Sequence, residues 1–317
     1  MADLIPTMTS NTTPSGVVSA LGSYSFYSAW KAVMDDNSDS TKSWVNLQGY
    51  TAGWLQYEFP SAQVVRKYTI TSRNEALYPR SPKAWSLLAM PTPFDEIPTM
   101  SSNIAPSGVA SASREDFGYS AWYAMMDNNT HQAYSWVAAG TAAWLQYQFV
   151  SAKTIVRYTI TSRNEGAASR VPKSWSLKAS NTGAFGGEEV TLDTQTNITD
   201  WASSGNVKKE FTFSNSTAYL YYRLDITASN DAFVGVGEFE LSESVPVTLN
   251  SQSDVTDWAT TPNEKKEYEI SNDTAYKYYR LDITESNDAN YVGVGEFELI
   301  DTGAERKSSF FLVFPNF

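Results

Sequence analysis

The sequence contains no cysteine, which excludes disulfides, thiolate metal sites and a cysteine nucleophile. Histidine is nearly absent too. A Ser-His-Asp triad or a histidine-rich zinc centre would rest on His131 alone, and that residue reads as a plain surface side chain in a loop. Positive charge is scarce: 23 Lys and Arg face 35 Asp and Glu, a net charge of -12. This argues against a binder of phosphate backbones or of anionic membrane surfaces. No apolar run approaches the ~20 residues of a spanning helix. The opening, Met1-Ala2-Asp3-Leu4-Ile5-Pro6, has neither a basic n-region nor an apolar h-region, so no secretory signal is expected. What the chain has in abundance is aromatic: 10 Trp, 19 Tyr and 15 Phe among 317 residues. With 42% hydrophobic and 18% charged residues, it reads as folded, with length for about two domains.

Two different segments are repeated. Residues 53–75, GWLQYEFPSAQVVRKYTITSRNE, return at 143–165 as AWLQYQFVSAKTIVRYTITSRNE, identical at 15 of 23 positions. The match begins at Ile5-Pro6-Thr7-Met8 and Ile97-Pro98-Thr99-Met100 and runs through Trp85 and Trp175. Residues 217–241, TAYLYYRLDITASNDAFVGVGEFEL, return at 274–299 with one added residue. The order is therefore first half, first half, second half, second half. The middle pair, 95–244, makes one complete unit. The outer pair, 4–90 and 246–301, are complementary halves.

The preferred reading is a whole domain inserted into a surface hairpin of its sister, with linkers 91–95 and 243–247 side by side. In the inner copy the equivalent hairpin holds Asn181-Thr182-Gly183-Ala184-Phe185-Gly186-Gly187, a turn-rich stretch that tolerates insertion. The alternative is a pair of fragments from a failed triplication, completed by swapping with another molecule. Short runs rich in β-branched and aromatic residues predict strands at 54–59, 67–71, 85–88, 278–284 and 296–300. One helical turn is expected at 28–34. The fold class is all-β, two antiparallel β-sandwiches, followed by a tail at 302–317.

Each copy resembles the discoidin (coagulation factor 5/8 type C) family of galactose-binding-like domains, which includes many carbohydrate-binding modules. The residues that carry the resemblance are Ala29-Trp30-Lys31-Ala32-Val33-Met34-Asp35 and Ala121-Trp122-Tyr123-Ala124-Met125-Met126-Asp127, then Trp44 and Trp136, and Trp54-Leu55-Gln56 and Trp144-Leu145-Gln146. They continue with Arg73-Asn74 and Arg80-Ser81-Pro82-Lys83-Ala84-Trp85, matched by Arg163-Asn164 and Arg170-Val171-Pro172-Lys173-Ser174-Trp175. Gly295-Glu296-Phe297-Glu298-Leu299 and Gly237-Glu238-Phe239-Glu240-Leu241 close the pattern. The resemblance implies jelly-roll sandwiches with a ligand in the loops at one end. It covers nearly the whole chain except 91–96 and the tail, and it is specific for fold and weaker for ligand. The Ser/Thr/Asn-rich style looks most like modules of bacteriophage tail and fibre proteins.

On that resemblance the carbohydrate-binding candidates are Arg73, Asn74, Glu75, Asn287, Asp288 and Tyr291 in the outer domain. Arg163, Asn164, Glu165, Asn230, Asp231 and Phe233 are their inner counterparts. An arginine fork, an amide and a carboxylate suit hydroxyls, and an aromatic face suits the C–H side of a pyranose. Equally, Arg73 and Asn74 could cap a strand end and satisfy loop carbonyls. If Arg163 meets ligand, Arg163→Ala weakens binding and leaves the melting temperature nearly unchanged. Tyr24, Phe26, Tyr27, Phe117 and Tyr119 are candidates to rim the site. Trp44, Trp54, Trp85 and their copies are expected in the core, and Trp201 and Trp258 stay open. The family often holds a structural calcium, for which Asp35, Asn37, Asp39 and Glu296, or Asp127, Asn129 and Glu238, offer oxygen donors. A solvated acidic turn is the competing reading, because no glycine follows the Asp and Lys42 or Tyr134 replaces the usual Thr.

Three function classes compete. The first is a non-catalytic carbohydrate-binding protein of a bacteriophage virion that attaches to host cell-surface glycans, reaching the outside by lysis and otherwise cytoplasmic. The second, an enzyme, needs two carboxylates at a set separation; with both units assigned to a binding fold, no catalysis is expected. The third is a structural virion decoration whose domains hold other virion proteins, which the apolar tail Ser308–Phe317 would suit. Nucleic-acid binding and membrane insertion are not expected, and homo-oligomerisation is left open.

Overall fold

The computed structural model describes residues 3–75, 80–127, 131–165, 170–201, 205–258 and 261–303. Asn129 and the tail from 304 onward lie outside them. Among the described residues the chain is all-β apart from two short 3-10 turns, Ala29–Val33 and Ala121–Met125, and the sheets are antiparallel. It divides into two compact units, 1–89 with 248–317 and 90–247.

In the outer unit a five-stranded sheet runs in the order Val17–Ala20, Gly53–Gln63, Tyr276–Ser286, Pro82–Met90, Val247–Gln252. Strands from either end of the chain are thus neighbours. A three-stranded sheet, Lys265–Glu269, Lys67–Thr71, Glu296–Ile300, forms the second layer, and Gly293–Val294 pairs with Trp44–Val45. The inner unit repeats the plan with Val190–Gln195, Pro172–Ser180, Tyr219–Ser229, Ala143–Lys153 and Val109–Ala112. Its second layer is Lys208–Thr212, Arg157–Thr161 and Glu238–Ser242, and Phe233–Val236 pairs with Trp136–Ala139. The chain leaves and re-enters this unit at adjacent points: the hydroxyls of Thr92 and Ser244 lie 2.7 Å apart.

Alternation explains the layers. Along Gly53–Gln63, Leu55, Tyr57 and Phe59 are buried while Trp54, Gln56 and Glu58 face outward, the period of two expected of a half-buried strand. Each core is built on aromatic residues: Trp44, Tyr57, Tyr68, Trp85, Tyr279 and Phe297 in one unit, Trp136, Tyr147, Tyr158, Trp175, Tyr222 and Phe239 in the other. Burial of each such side chain contributes about 1.5–3 kcal/mol. Their polar atoms are satisfied inside. Trp85 Nε1 donates to Tyr68 OH (2.9 Å) and Trp175 Nε1 to Tyr158 OH (2.8 Å). Trp201 and Trp258 are buried as well, with indole N–H groups on the carbonyls of Pro172 (3.1 Å) and Pro82 (2.9 Å).

Trp54 and Trp144 depart from expectation. They stand on the outward sheet face, half-buried, with the guanidinium carbons of Arg280 and Arg223 at 4.2 and 4.1 Å from their ring centres. Their strand position, one residue out of phase with Leu55 and Leu145, sends them away from the core.

Candidate functional site

The turn that ends Lys67–Thr71 carries Arg73, Asn74 and Glu75 to one end of the sandwich. Arg73 does not face solvent there: it is 3% exposed, and its aliphatic stem runs beneath Gly293, where a Cβ would sit 2.6 Å from Arg73 Cδ. Its Nε donates to Ser43 Oγ (2.8 Å), its Nη2 to the Ser40 carbonyl (2.8 Å), and its Nη1 pairs with Glu75 at 2.5 Å. Arg163, 2% exposed, repeats this under Gly235, with Ser135 Oγ, the Gln132 carbonyl and Glu165 at 2.8, 2.8 and 2.7 Å. Burial pulls both guanidiniums below their ordinary value, with Glu75 and Glu165 opposing it. The placement corrects the expectation that these arginines meet a ligand. With all three nitrogens engaged, each ties a turn to a loop and sets the shape of the site from below.

Two further candidates are turned inward. Asn74 Nδ2 donates to the Asn37 carbonyl (3.1 Å). Asn287 Nδ2 reaches the carbonyls of Val255 (2.9 Å), Ser81 (3.2 Å) and Pro82 (3.3 Å), so it fastens its loop. Asn164 is half-buried and Asn230 exposed. Asp288 builds a turn by accepting the amides of Asn290 (2.7 Å) and Tyr291 (2.9 Å). Glu75 and Glu165 are half-buried and paired with Arg73 and Arg163, and Asp231 is half-buried.

The cation that does reach this end is Arg80. Its guanidinium carbon lies 4.4 Å from the centre of the Tyr291 ring, its Nε is 3.7 Å from Glu75, and its carbonyl accepts the Gly293 amide (2.7 Å). Tyr24 meets Tyr291 edge to face at 5.3 Å and is 36% exposed. Arg80, Tyr291, Tyr24 and Glu75 thus form a wall with donors, acceptors and aromatic faces. In the inner unit Arg170 stands over Phe233 at 5.1 Å. Arg80 and Arg170 were not among the ligand candidates read from sequence, although the repeated Arg-x-Pro-Lys-x-Trp motif was the available signal. Of the rim candidates, Tyr27 and Tyr119 cover Arg73 and Arg163 at 4.9 and 5.2 Å. Phe26 and Phe117 are open, at 53% and 99% exposed. His131 is exposed.

The acidic loop crosses behind the same end. Glu296 accepts the Asp35 amide (3.3 Å), and Asp35 takes the Thr7 hydroxyl. Asn37 Nδ2 donates to the Ser72 carbonyl (2.8 Å). Among the described residues, Asn37 Oδ1 and Glu296 Oε2 are buried without a hydrogen-bond partner, as is Glu238 Oε1 in the inner unit. Hard, oxygen-only donors left unpaired beside Asp35 or Asp127 fit a cation such as calcium. Asp39 does not join them: its carboxylate holds the Thr41 amide (2.8 Å). No cluster of three or more acidic or imidazole side chains suited to a metal occurs among the described residues, so backbone oxygens would have to complete a shell. Burial, reinforced by neighbouring carboxylates, raises Glu296 to about 8 and Asp3 to about 7, and Glu238 and Asp95 rise likewise.

No protein-family model and no curated protein matches the chain. Solved structures do. The chain is similar to the family 32 CBM of C. perfringens NanJ in complex with galactose, at 19% identity and TM-score 0.35, covering 42% of this chain and 92% of that one. It is similar to the lectin domain of lectinolysin complexed with Lewis B antigen, at 19% identity and TM-score 0.36, covering 46% and 99%. It is also similar to a fucolectin from striped bass serum, at 13% identity and TM-score 0.36, covering 74% and 98%.

Proposed function

We propose that this is a carbohydrate-binding protein without catalytic activity, each unit holding a sugar at its loop end. The observation that carries this reading is the pairing of Arg80 with the Tyr291 ring, beside the exposed ring of Tyr24 and the carboxylate of Glu75. A guanidinium held over a ring can offer its terminal N–H groups to hydroxyls, the aromatic edge offers apolar contact, and the carboxylate accepts. The arrangement is preformed by Arg73 beneath it, which lowers the ordering cost of binding. Arg80→Ala and Arg170→Ala should each remove charge-assisted bonds of about 1.5–3 kcal/mol, roughly ten-fold or more in affinity at the altered site. Glycan-array binding by the double variant equal to that of the unaltered chain would count against the reading.

Two finer elements belong to the same proposal. Glu296 and Asn37, and Glu238 in the inner unit, would hold a structural calcium that neutralises the buried carboxylates; a melting temperature that does not respond to calcium after chelation would argue against it. The chain would be displayed on a bacteriophage virion for attachment to host cell-surface glycans, a reading supported only by its Ser/Thr/Asn-rich style. Antibody labelling of purified phage particles tests that directly, and unlabelled particles would overturn it.

A further inference from the structure

The two loop ends are not copies of one another. Tyr24 donates its amide to the Val45 carbonyl (2.8 Å), and Asp116 donates its amide to the Val137 carbonyl (2.7 Å), so the two residues hold the same place in the two units. Val137 lies on Trp136–Ala139, where Phe233 pairs with Ala139, two residues further on. Where the outer unit sets a phenol against Tyr291, the inner unit has an exposed carboxylate at the place of that phenol and an unsubstituted phenyl ring at the place of Tyr291. One oxygen of that carboxylate accepts the Phe117 amide (3.0 Å).

The charges around it balance. Lys31 and Lys42 of the outer unit have Tyr123 and Tyr134 at the matching inner positions, but Asp36 and Asp39, which pair with Lys42, have Asn128 and His131 there, so these exchanges cancel in charge. Arg114, whose outer counterpart is Gly22, adds a positive charge and donates to the Ala142 carbonyl, and Glu115, whose counterpart is Ser23, adds a negative one. Arg170 is common to both patterns as the counterpart of Arg80. The net result is a loop end with an added acceptor of formal charge and a lost phenol.

We infer that the two sites select different sugars: the inner site takes a hexosamine with a free, protonated amine, through Asp116, and the outer site takes a neutral sugar, through Tyr24 and Tyr291. This rests on the carbohydrate reading above. An ammonium beside a carboxylate forms a charge-assisted hydrogen bond that an acetylated amine cannot match, whereas the phenols exchange neutral bonds with hydroxyls. One chain would then engage a surface only where both sugars are present, which is specificity by composition as well as by avidity.

The test uses the full chain and three albumin conjugates, carrying galactosamine, N-acetylgalactosamine and galactose. With the outer site disabled by Arg80→Ala, binding to the galactosamine conjugate should exceed binding to the acetylated one by about ten-fold, and adding Asp116→Asn should abolish that preference without changing the melting temperature. With the inner site disabled by Arg170→Ala, the preference should be absent. The inference is overturned if both disabled chains rank the conjugates identically, or if Asp116→Asn keeps the preference. Should the unaltered chain bind none of these conjugates and no other glycan, the carbohydrate reading itself falls, and this inference with it.

Discussion

Arg163 shows how a residue that sequence places at a binding site can belong to its foundations. Among Ser135, Gln132 and Glu165, its three nitrogens are engaged at 2.7–2.8 Å, and Gly235 is a glycine because the arginine stem passes beneath it. Removing it leaves Glu165 without its partner and takes a bond from two loop groups, Ser135 Oγ and the Gln132 carbonyl. Breaking a buried pair costs about 3–5 kcal/mol; because Glu165 retains some contact with water, Arg163→Ala should cost about 2–4 kcal/mol, lowering the inner unit's melting temperature by roughly 5–10 °C. Calorimetry checks this, and a melting temperature within a degree of the unaltered chain would return Arg163 to the list of ligand contacts. The sequence alone could not separate the roles of Arg73 and Arg80, since both are arginines near one turn in both copies. Only the path of the side chain, under a strand or over a ring, decides between them.

At the scale of elements, the segment entering each sandwich is clamped to the last strand by a buried carboxylate. Asp3 Oδ1 accepts the amides of Leu299 (2.9 Å) and Ile5 (3.1 Å), and Asp95 Oδ1 those of Leu241 and Ile97 (both 2.9 Å). Asp3 lies in the field of Asp35 and Glu298, as does Glu296. Burial holds Asp3 near 7 and Glu296 near 8, above the unfolded carboxylate range. The folded state therefore binds more protons than the unfolded one between about pH 4.5 and 8, so stability is full below that window and declines through it as pH rises. In chelator-treated buffer, the outer unit should melt several degrees lower at pH 8 than at pH 5, and Glu296→Gln should flatten the slope. A melting temperature that rises over this range would show that the carboxylates are ionised and paired instead. The strands themselves were largely legible: 67–71 and 296–300 coincide with Lys67–Thr71 and Glu296–Ile300, and the helical turn at 28–34 contains Ala29–Val33. The facing of Trp54 was not, because a tryptophan on a polar-aromatic strand satisfies either face until its neighbour Arg280 is known.

At the scale of the molecule, the outer sandwich is assembled from segments separated by more than 150 residues, with Tyr276–Ser286 lying between Gly53–Gln63 and Pro82–Met90. A fragment of residues 1–90 would lack that central strand and the Glu296–Ile300 partner of Lys67–Thr71. It should fail to fold, since its apolar faces would have no second layer. Residues 95–244 contain both layers of the inner sandwich and should give a soluble domain with a cooperative thermal transition. A folded 1–90 fragment would refute the insertion reading.

Sequence by itself determined the all-β class, the two-by-two order of the repeats and the aromatic positions of the cores, because period-two burial and internal repetition are written in residue order. It also located the end of each sandwich at which polar and aromatic loops gather. Tertiary structure decided which of those residues are exposed there. Arg73, Arg163 and Asn287 turned inward to satisfy buried carbonyls and carboxylates, leaving Arg80 on Tyr291 beside the exposed Tyr24, and Arg170 on Phe233, half-buried at that end. The physical reason is that two arginines near one turn serve different masters: one must satisfy the groups that folding buries, and only the other keeps part of its side chain within reach of solvent.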